Sequence, residues 1–108
     1  MAEEFGIFAE RRLHLRAGGE HREILVQFGP VVKKDGIASC RYTLTGFEES
    51  ISFEILGLDE VQAVQLAMTM AGSELNRRAR DGEYRIAGNL SPDGGHALPS
   101  FDLQQIVP

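Results

Sequence analysis

The first half of the chain alternates between apolar and polar positions, the period of two that is typical of strands with one buried face. The alternating runs predict four strands, near residues 5–16, 21–28, 37–45 and 51–56. Gly29 and Pro30 follow the second run, and since proline cannot donate a ladder hydrogen bond, we expect that strand to end there. Consecutive short strands joined by short polar turns favour an antiparallel meander.

The apolar period changes after Leu58. Asp59 is a suitable N-cap and Gln62 stands three positions later, the spacing of a capping box. The pattern predicts a helix near residues 59–80, and Gly82 follows it as a candidate for the left-handed residue that ends many helices. One helix of this length can cross a four-stranded sheet.

The remaining residues carry weaker patterns. Residues 83–87 predict a short strand, 88–100 a loop rich in glycine, proline and serine, and 101–108 an apolar tail. The whole chain, residues 1–108, is therefore expected to form a single α+β domain. Its predicted architecture is a four- to six-stranded antiparallel meander packed against one long helix, with a short C-terminal strand or docked tail.

Composition narrows the classes of partner. The formal net charge is −5, which argues against nucleic acid and anionic membranes, because phosphate binding needs a cationic surface. No apolar run approaches the roughly 20 residues of a membrane helix, and the acidic start does not resemble a signal peptide. A lone cysteine excludes an intramolecular disulfide. We therefore expect a protein of the bacterial cytoplasm.

No residue cluster predicts catalysis, a metal or a cofactor. Motifs for phosphate loops, dinucleotides and zinc proteases are missing from the sequence. Cys40 falls on the apolar face of the third strand, where a thiol is usually a small core residue. His14 and His21 flank the first turn and supply only half of a zinc site, and His96 lies in the late loop, which we expect to be too mobile to count. Asp59 and Gln62 are explained as a cap.

The helix carries more apolar surface than one sheet needs. At 100° per residue, the stripe predicted to face the sheet consists of Val61, Val64, Met68, Ala71 and Leu75. Four further residues widen the apolar arc to roughly 220° on the same wheel and form a candidate interaction surface: Ala63, Leu66, Ala67 and Met70. Its cover could be the C-terminal segment, a second copy of the chain or a different protein.

Several motifs resemble those of one family of small bacterial proteins. They are Arg12-Leu13, Phe28-Gly29-Pro30, Cys40-x-Tyr42-x-Leu44-x-Gly46 and Gly57-Leu58-Asp59-Glu60-Val61-Gln62-Ala63. The family is described only as a domain of unknown function. The resemblance implies a bacterial origin and a sheet followed by a helix, and it implies no activity or ligand.

The expected function is that of a non-enzymatic binding or interaction module. Such a module would work as a homodimer or with a protein partner through the helix flank, for instance as an immunity or adaptor protein whose acidity steers it to a basic target. The alternative is a small enzyme or a small-ligand-binding protein whose site is assembled from separate strands. A deep pocket with convergent polar groups would favour the alternative.

Overall fold

A computed structural model describes residues 7–17, 19–82, 85–88, 96 and 98–99. The elements are β1 (Ala9–Ala17), β2 (Glu20–Lys34), β3 (Ile37–Thr45), β4 (Ile51–Gly57), α1 (Glu60–Gly82) and β5 (Arg85–Gly88). The strands form an antiparallel sheet in the order β4-β3-β2-β1-β5. The α+β class, the four-stranded meander and the packed helix are thus confirmed. No sixth strand occurs among the described residues, and the predicted tail at 101–108 lies outside them.

The prediction that the second strand ends at Gly29-Pro30 was wrong, because β2 continues to Lys34. Phe28 pairs with Tyr42 and Val31 with Cys40, so β2 carries one extra residue as a β-bulge across Gly29 and Pro30. The Gly29–Pro30 peptide is cis and Gly29 has a positive φ of 117°. A bulge interrupts the ladder locally, and a proline placed there removes no ladder hydrogen bond.

Small residues bring α1 against the sheet. The buried face of the helix consists of Ala63, Ala67, Ala71, Gly72 and Leu75. Val61, which we predicted to face the sheet, is 65% exposed, so the helix is rotated from the predicted stripe. Only Leu58 and Asp59 separate β4 from α1, and a Cβ on Gly57 would collide with the Ala63 backbone. This tight connection sets the rotation and places the alanines inward.

The core lies between α1 and one face of the sheet. Its buried strand residues are Leu13, Leu15, Ile24, Val26, Phe28, Ala38, Cys40, Tyr42, Leu44 and Ile86. The helix contacts β2, β3 and β4. No helix in the described ranges has the length and hydropathy needed to cross a bilayer.

The prediction that His96 is a mobile loop residue was wrong, because its side chain is buried against α1 with 6% exposure. Its Nε2 lies 2.9 Å from Asn76 Oδ1, its Nδ1 accepts a hydrogen bond from the Leu98 N–H, and its carbonyl accepts one from Arg11. A Cβ on Gly72 would collide with the Pro99 carbonyl oxygen. Residues 96, 98 and 99 therefore lie on the flank of α1 that faces β1.

Gly72→Ala tests this contact, because the local helical preference and the packing act in opposite directions. Alanine is favoured over glycine in a helix by about 0.8–1 kcal/mol, whereas overpacking costs about 1–3 kcal/mol. Since backbone meets the added methyl group, the packing cost should exceed the helical preference, and we expect a net loss of up to about 2 kcal/mol in the unfolding free energy measured with urea. Gly82→Ala is the control, because Gly82 is the exposed last residue of α1 and not the left-handed residue beyond the helix that we predicted, so alanine there should not destabilise. A gain in stability from Gly72→Ala would contradict the described packing.

His96 should make stability depend on pH. Burial lowers the pKa of His96, the hydrogen bond to the Gly72 backbone opposes this, and the charge of Arg11 lowers it further. Below about pH 6.5 the unfolded chain therefore binds a proton at this histidine more readily than the folded chain does. The contribution of neutral His96 to the free energy of unfolding is complete above that pH and is lost as the pH falls. We expect unfolding free energies of the wild type to fall more steeply than those of His96→Gln between about pH 7.5 and about pH 5. Equal slopes would contradict this assignment.

Candidate interaction surface

Strand β4 forms one edge of the described sheet. It pairs with β3 on one side, and among the described residues no other backbone group bonds to it from the outer side. Its sequence, Ile51-Ser52-Phe53-Glu54-Ile55-Leu56-Gly57, contains one charged residue, no lysine and no proline. Natural edge strands are usually protected by such residues or by a cover. Apart from the charge of Glu54, β4 is therefore an unprotected edge within the part of the chain that the structure describes.

Phe53 stands on the helix side of this edge. It pairs with Tyr42 across the ladder, and the two ring centroids are 5.7 Å apart. The tyrosine is buried, whereas Phe53 remains 51% exposed because no neighbouring strand flanks it on the outer side. The aromatic ring thus offers an apolar face at the rim of the core.

The four helix residues predicted as an interaction surface divide into two pairs. Ala63 and Ala67 are fully buried against the sheet and do not belong to an exposed surface. Their burial follows from the rotation set by the Gly57 contact. Leu66 is half-buried and Met70 is 39% exposed. Only Leu66 and Met70 of the predicted set are accessible to another molecule.

Leu66 and Met70 lie on the β4 side of the helix. Gly72 is about 160° from Met70 around the helical wheel, and its flank carries His96 and Pro99 on the side of β1. The opposite flank consequently points toward β4, the other end of the sheet order. The C-terminal residues that the structure describes do not cover this flank.

We expect Phe53 and Met70 to lie at a similar height along the molecule, from the rise of the strand and of the helix. α1 runs back along β4 from the close contact between Gly57 and Ala63. Phe53 is about 13 Å of strand from Gly57, and the same distance along the helix is about nine residues, which reaches Gly72 when counted from Ala63 and lies two residues beyond Met70. We call the outer edge of β4 together with Phe53, Leu66 and Met70 the β4-side surface.

A cleft of about 580 Å³ lies between the β3–β4 turn and the end of α1. Its lining residues are Arg22, Phe47, Glu48, Glu49, Arg77, Arg78, Asp81 and Gly82. Neither Cys40 nor any of the three histidines lines it. The mixture of cationic and anionic side chains distinguishes this cleft from the mainly apolar pockets that usually bind small ligands.

Two of the three arginines that line the cleft, Arg77 and Arg78, are held by neighbouring acids. Glu74 accepts hydrogen bonds from Arg77 at 2.6 Å and Arg78 at 2.7 Å, and Arg77 also lies 3.6 Å from Asp81. Burial raises the pKa of Glu74, but the bonds from Arg78 and Arg77 outweigh it and lower that pKa below its usual range. Arg78 also stacks over the Phe47 ring at 5.0 Å. Internal pairing leaves this cleft with little net attraction for an anion.

Cys40 is fully buried, as predicted for its position on the inward face of β3. Burial raises the pKa of its thiol, and a backbone hydrogen bond at Gly29 opposes this only partly. A nucleophilic cysteine needs the opposite shift, so that the thiolate forms near neutral pH. Cys40 is therefore a core residue and not a catalytic candidate.

Native Cys40 should resist thiol reagents. We expect slow labelling by a maleimide in buffer and complete labelling in denaturant, because the thiol is enclosed and its pKa is raised. The matched control is Leu56→Cys, at a position of 61% exposure, whose new thiol should react at once. Equally fast native reaction at both positions would contradict the inward orientation of β3.

His14 and His21 stack with ring centroids 5.0 Å apart and planes inclined by 19°. The register pairs His14 with Glu23 and His21 with Arg16, so the two histidines are diagonal neighbours. Stacked rings do not direct their nitrogens at one ion. Within the described ranges, no group of three or more His, Cys, Asp or Glu residues is placed to hold a metal.

Asp59 and Gln62 form the predicted cap. Asp59 Oδ1 accepts a hydrogen bond of 2.7 Å from the Gln62 N–H, and Gln62 Oε1 accepts one of 2.7 Å from the Leu58 N–H. Both side chains satisfy amides at the helix start, which is their structural role. Neither is available as a catalytic group.

Comparison with known proteins identifies a family and no function. A family model described as a domain of unknown function, DUF6968, matches residues 9–99, a range that begins with β1 and includes Pro99. No curated protein matches the chain, and no solved structure matches it.

Proposed function

We propose that this chain, which belongs to the DUF6968 family, is a non-enzymatic protein-binding module that works through its β4-side surface. One observation carries the proposal: an edge strand that no described residue covers lies beside a half-exposed aromatic ring and an exposed methionine on the same side of the molecule. The occupant is a second copy of the chain or a different protein.

Two kinds of interaction support binding at this surface. The outer edge of β4 offers main-chain donors and acceptors to an added strand, the recognition mode in which backbone bonds supply affinity and side chains supply specificity. Phe53, Leu66 and Met70 offer apolar area, and full burial of each such side chain is worth about 1.5–3 kcal/mol, so even partial burial favours association. The surface thus offers backbone hydrogen bonds that orient a partner and apolar area whose burial favours association.

The charge of the chain supports a basic target if the partner is a different protein. A net charge of −5 favours encounter with a cationic surface, as in an immunity- or adaptor-type role. The proposal includes a bacterial cytoplasmic location, which the buried free thiol of the only cysteine favours because thiols stay reduced there.

The double variant Leu66→Gln/Met70→Gln tests the proposal. Both side chains lie outside the core cluster, so we expect the helical circular dichroism signal and the melting temperature to remain close to wild type. The partner recovered with tagged wild type, whether a second copy or another protein, should be missing with the variant. The control is Val32→Gln, an exposed apolar residue on the opposite face of the sheet, which should retain the partner.

Two results would contradict the proposal. If the melting temperature of the double variant fell as it does when a core residue is replaced, and the hydrodynamic size did not change, other residues of the same chain would cover the flank. If Val32→Gln lost the partner to the same extent as the double variant, binding would use the open face of the sheet.

The alternative, a small enzyme or small-ligand-binding protein, has support from the volume of the cleft at the end of α1. About 580 Å³ falls within the range of ligand pockets, although the lining is charged and internally paired. A panel of small anions and zwitterions tested by thermal shift would favour this alternative if one stabilised the wild type and failed with Arg22→Gln. Arg22 is suitable because its side chain is exposed and bonds only weakly, at 3.5 Å, to the Gly46 carbonyl.

A further inference from the structure

We infer that the partner at the β4-side surface is a second copy of this chain, joined by antiparallel pairing of β4 with β4 about a two-fold axis at Phe53. This inference rests on the proposed function and adds the identity of the partner and the register. The order of charged and apolar residues along β4 decides which register a second copy can adopt.

Two-fold symmetry restricts the possible registers. In an isologous dimer the same edge meets itself, so residues opposite each other have position numbers with a constant sum. Directly opposed residues in a ladder point to the same face of the sheet. If both helices are to pack on one face of the sheet, one residue of β4 must lie directly opposite its own copy. The two-fold axis then passes between these two equivalent residues. Ser52, Phe53, Glu54 and Ile55 are the candidates near the middle of the strand.

The register centred on Phe53 is favoured by its side-chain pairs. It places Phe53 opposite Phe53 of the second copy and Ile51 opposite Ile55, which makes a continuous apolar row on the helix face. On the open face it places Glu54 opposite Ser52, so the only charged residue of the strand meets a hydroxyl group. Aromatic and β-branched pairs of this kind are the favourable units of a ladder.

The three other registers each create an unfavourable pair. Centring on Glu54 opposes two carboxylates of like charge, which destabilises a ladder. Centring on Ile55 places Ile51 opposite Asp59, and centring on Ser52 places Ile55 opposite Glu49. In the Phe53 register Glu48 falls opposite Leu58, but Leu58 lies beyond the end of β4, whereas the isoleucines placed opposite acids in the other two registers lie within the strand.

The helix flank fits the same axis. Met70 lies near the height of Phe53, so the two helices would run antiparallel past each other with Met70 close to the axis and Leu66 one turn away. These are the exposed and half-buried apolar residues of the helix on that side. The same two-fold axis therefore brings together both the two β4 edges and the two helix flanks. A basic partner protein would give no reason for this coincidence.

Sedimentation of three proteins measures the association. We expect the wild type to have twice the 11.9 kDa chain mass at micromolar concentration. Phe53→Lys places two ammonium groups opposite each other and should raise the dissociation constant by about 100-fold or more. The matched control, Leu56→Lys, changes an exposed apolar residue of the same strand that faces away from the helix, and it should remain dimeric.

Cysteine cross-linking measures the register without disturbing the fold. Phe53→Cys should join two chains under mild oxidation, because directly opposed strand residues have Cα atoms about 4.5–5.5 Å apart, within disulfide range. Glu54→Cys should cross-link far less. Native Cys40 can stay in place, since it is buried.

Each contrary outcome has a separate meaning. A wild type that sediments as a monomer at millimolar concentration would overturn the second copy and leave the proposed function to a different protein partner. Preferential cross-linking through Glu54→Cys would overturn the register. If Phe53→Lys lowered the melting temperature with no change in mass, another part of the chain would occupy the edge, and the inference would be overturned.

Discussion

The helix approaches the sheet through a face of alanines, and the positions of the other parts follow from that contact. Ala63, Ala67 and Ala71 are fully buried, and Gly57 lies against the backbone of Ala63 where a side chain would not fit. Small residues bring backbone close to backbone over most of this face, where Leu75 is also buried, and Leu66 and Met70 stand on the flank. The two-residue connection from β4 prevents the helix from rotating to bury them.

The two flanks of the helix have different environments as a consequence. On the side of β1, residues 96, 98 and 99 lie against Gly72, and the buried ring of His96 joins Asn76 to the Leu98 amide. On the side of β4, Met70 and Phe53 remain exposed beside a strand edge. The asymmetry arises because the chain returns after α1 to pair with β1 through β5. The edge next to the connection that begins the helix therefore receives no further strand among the described residues.

The polar groups of the molecule mostly satisfy one another. Glu74 holds Arg77 and Arg78, and Asp59 and Gln62 satisfy amides at the helix start. The thiol of Cys40 is enclosed in the core. Groups paired in this way stabilise the structure, whereas the exposed apolar side chains on the β4 side have no such partners among the described residues. The proposed binding role rests on these exposed apolar groups.

Local patterns in the sequence determined much of this architecture. Period-two runs located the strands, Asp59 and Gln62 located the helix start, and the inward face of β3 placed Cys40 in the core, because each depends on neighbours within a few residues. The extension of β2 through Pro30 and the burial of His96 required contacts distant in the sequence. The exposure of Phe53 also required such contacts, because the alternation along the fourth strand predicts that Phe53 faces inward and is buried. Only the order of strands made its strand an edge, and only the alanine contact decided which helix flank faces it, because strand order and helix rotation are properties of the assembled layers.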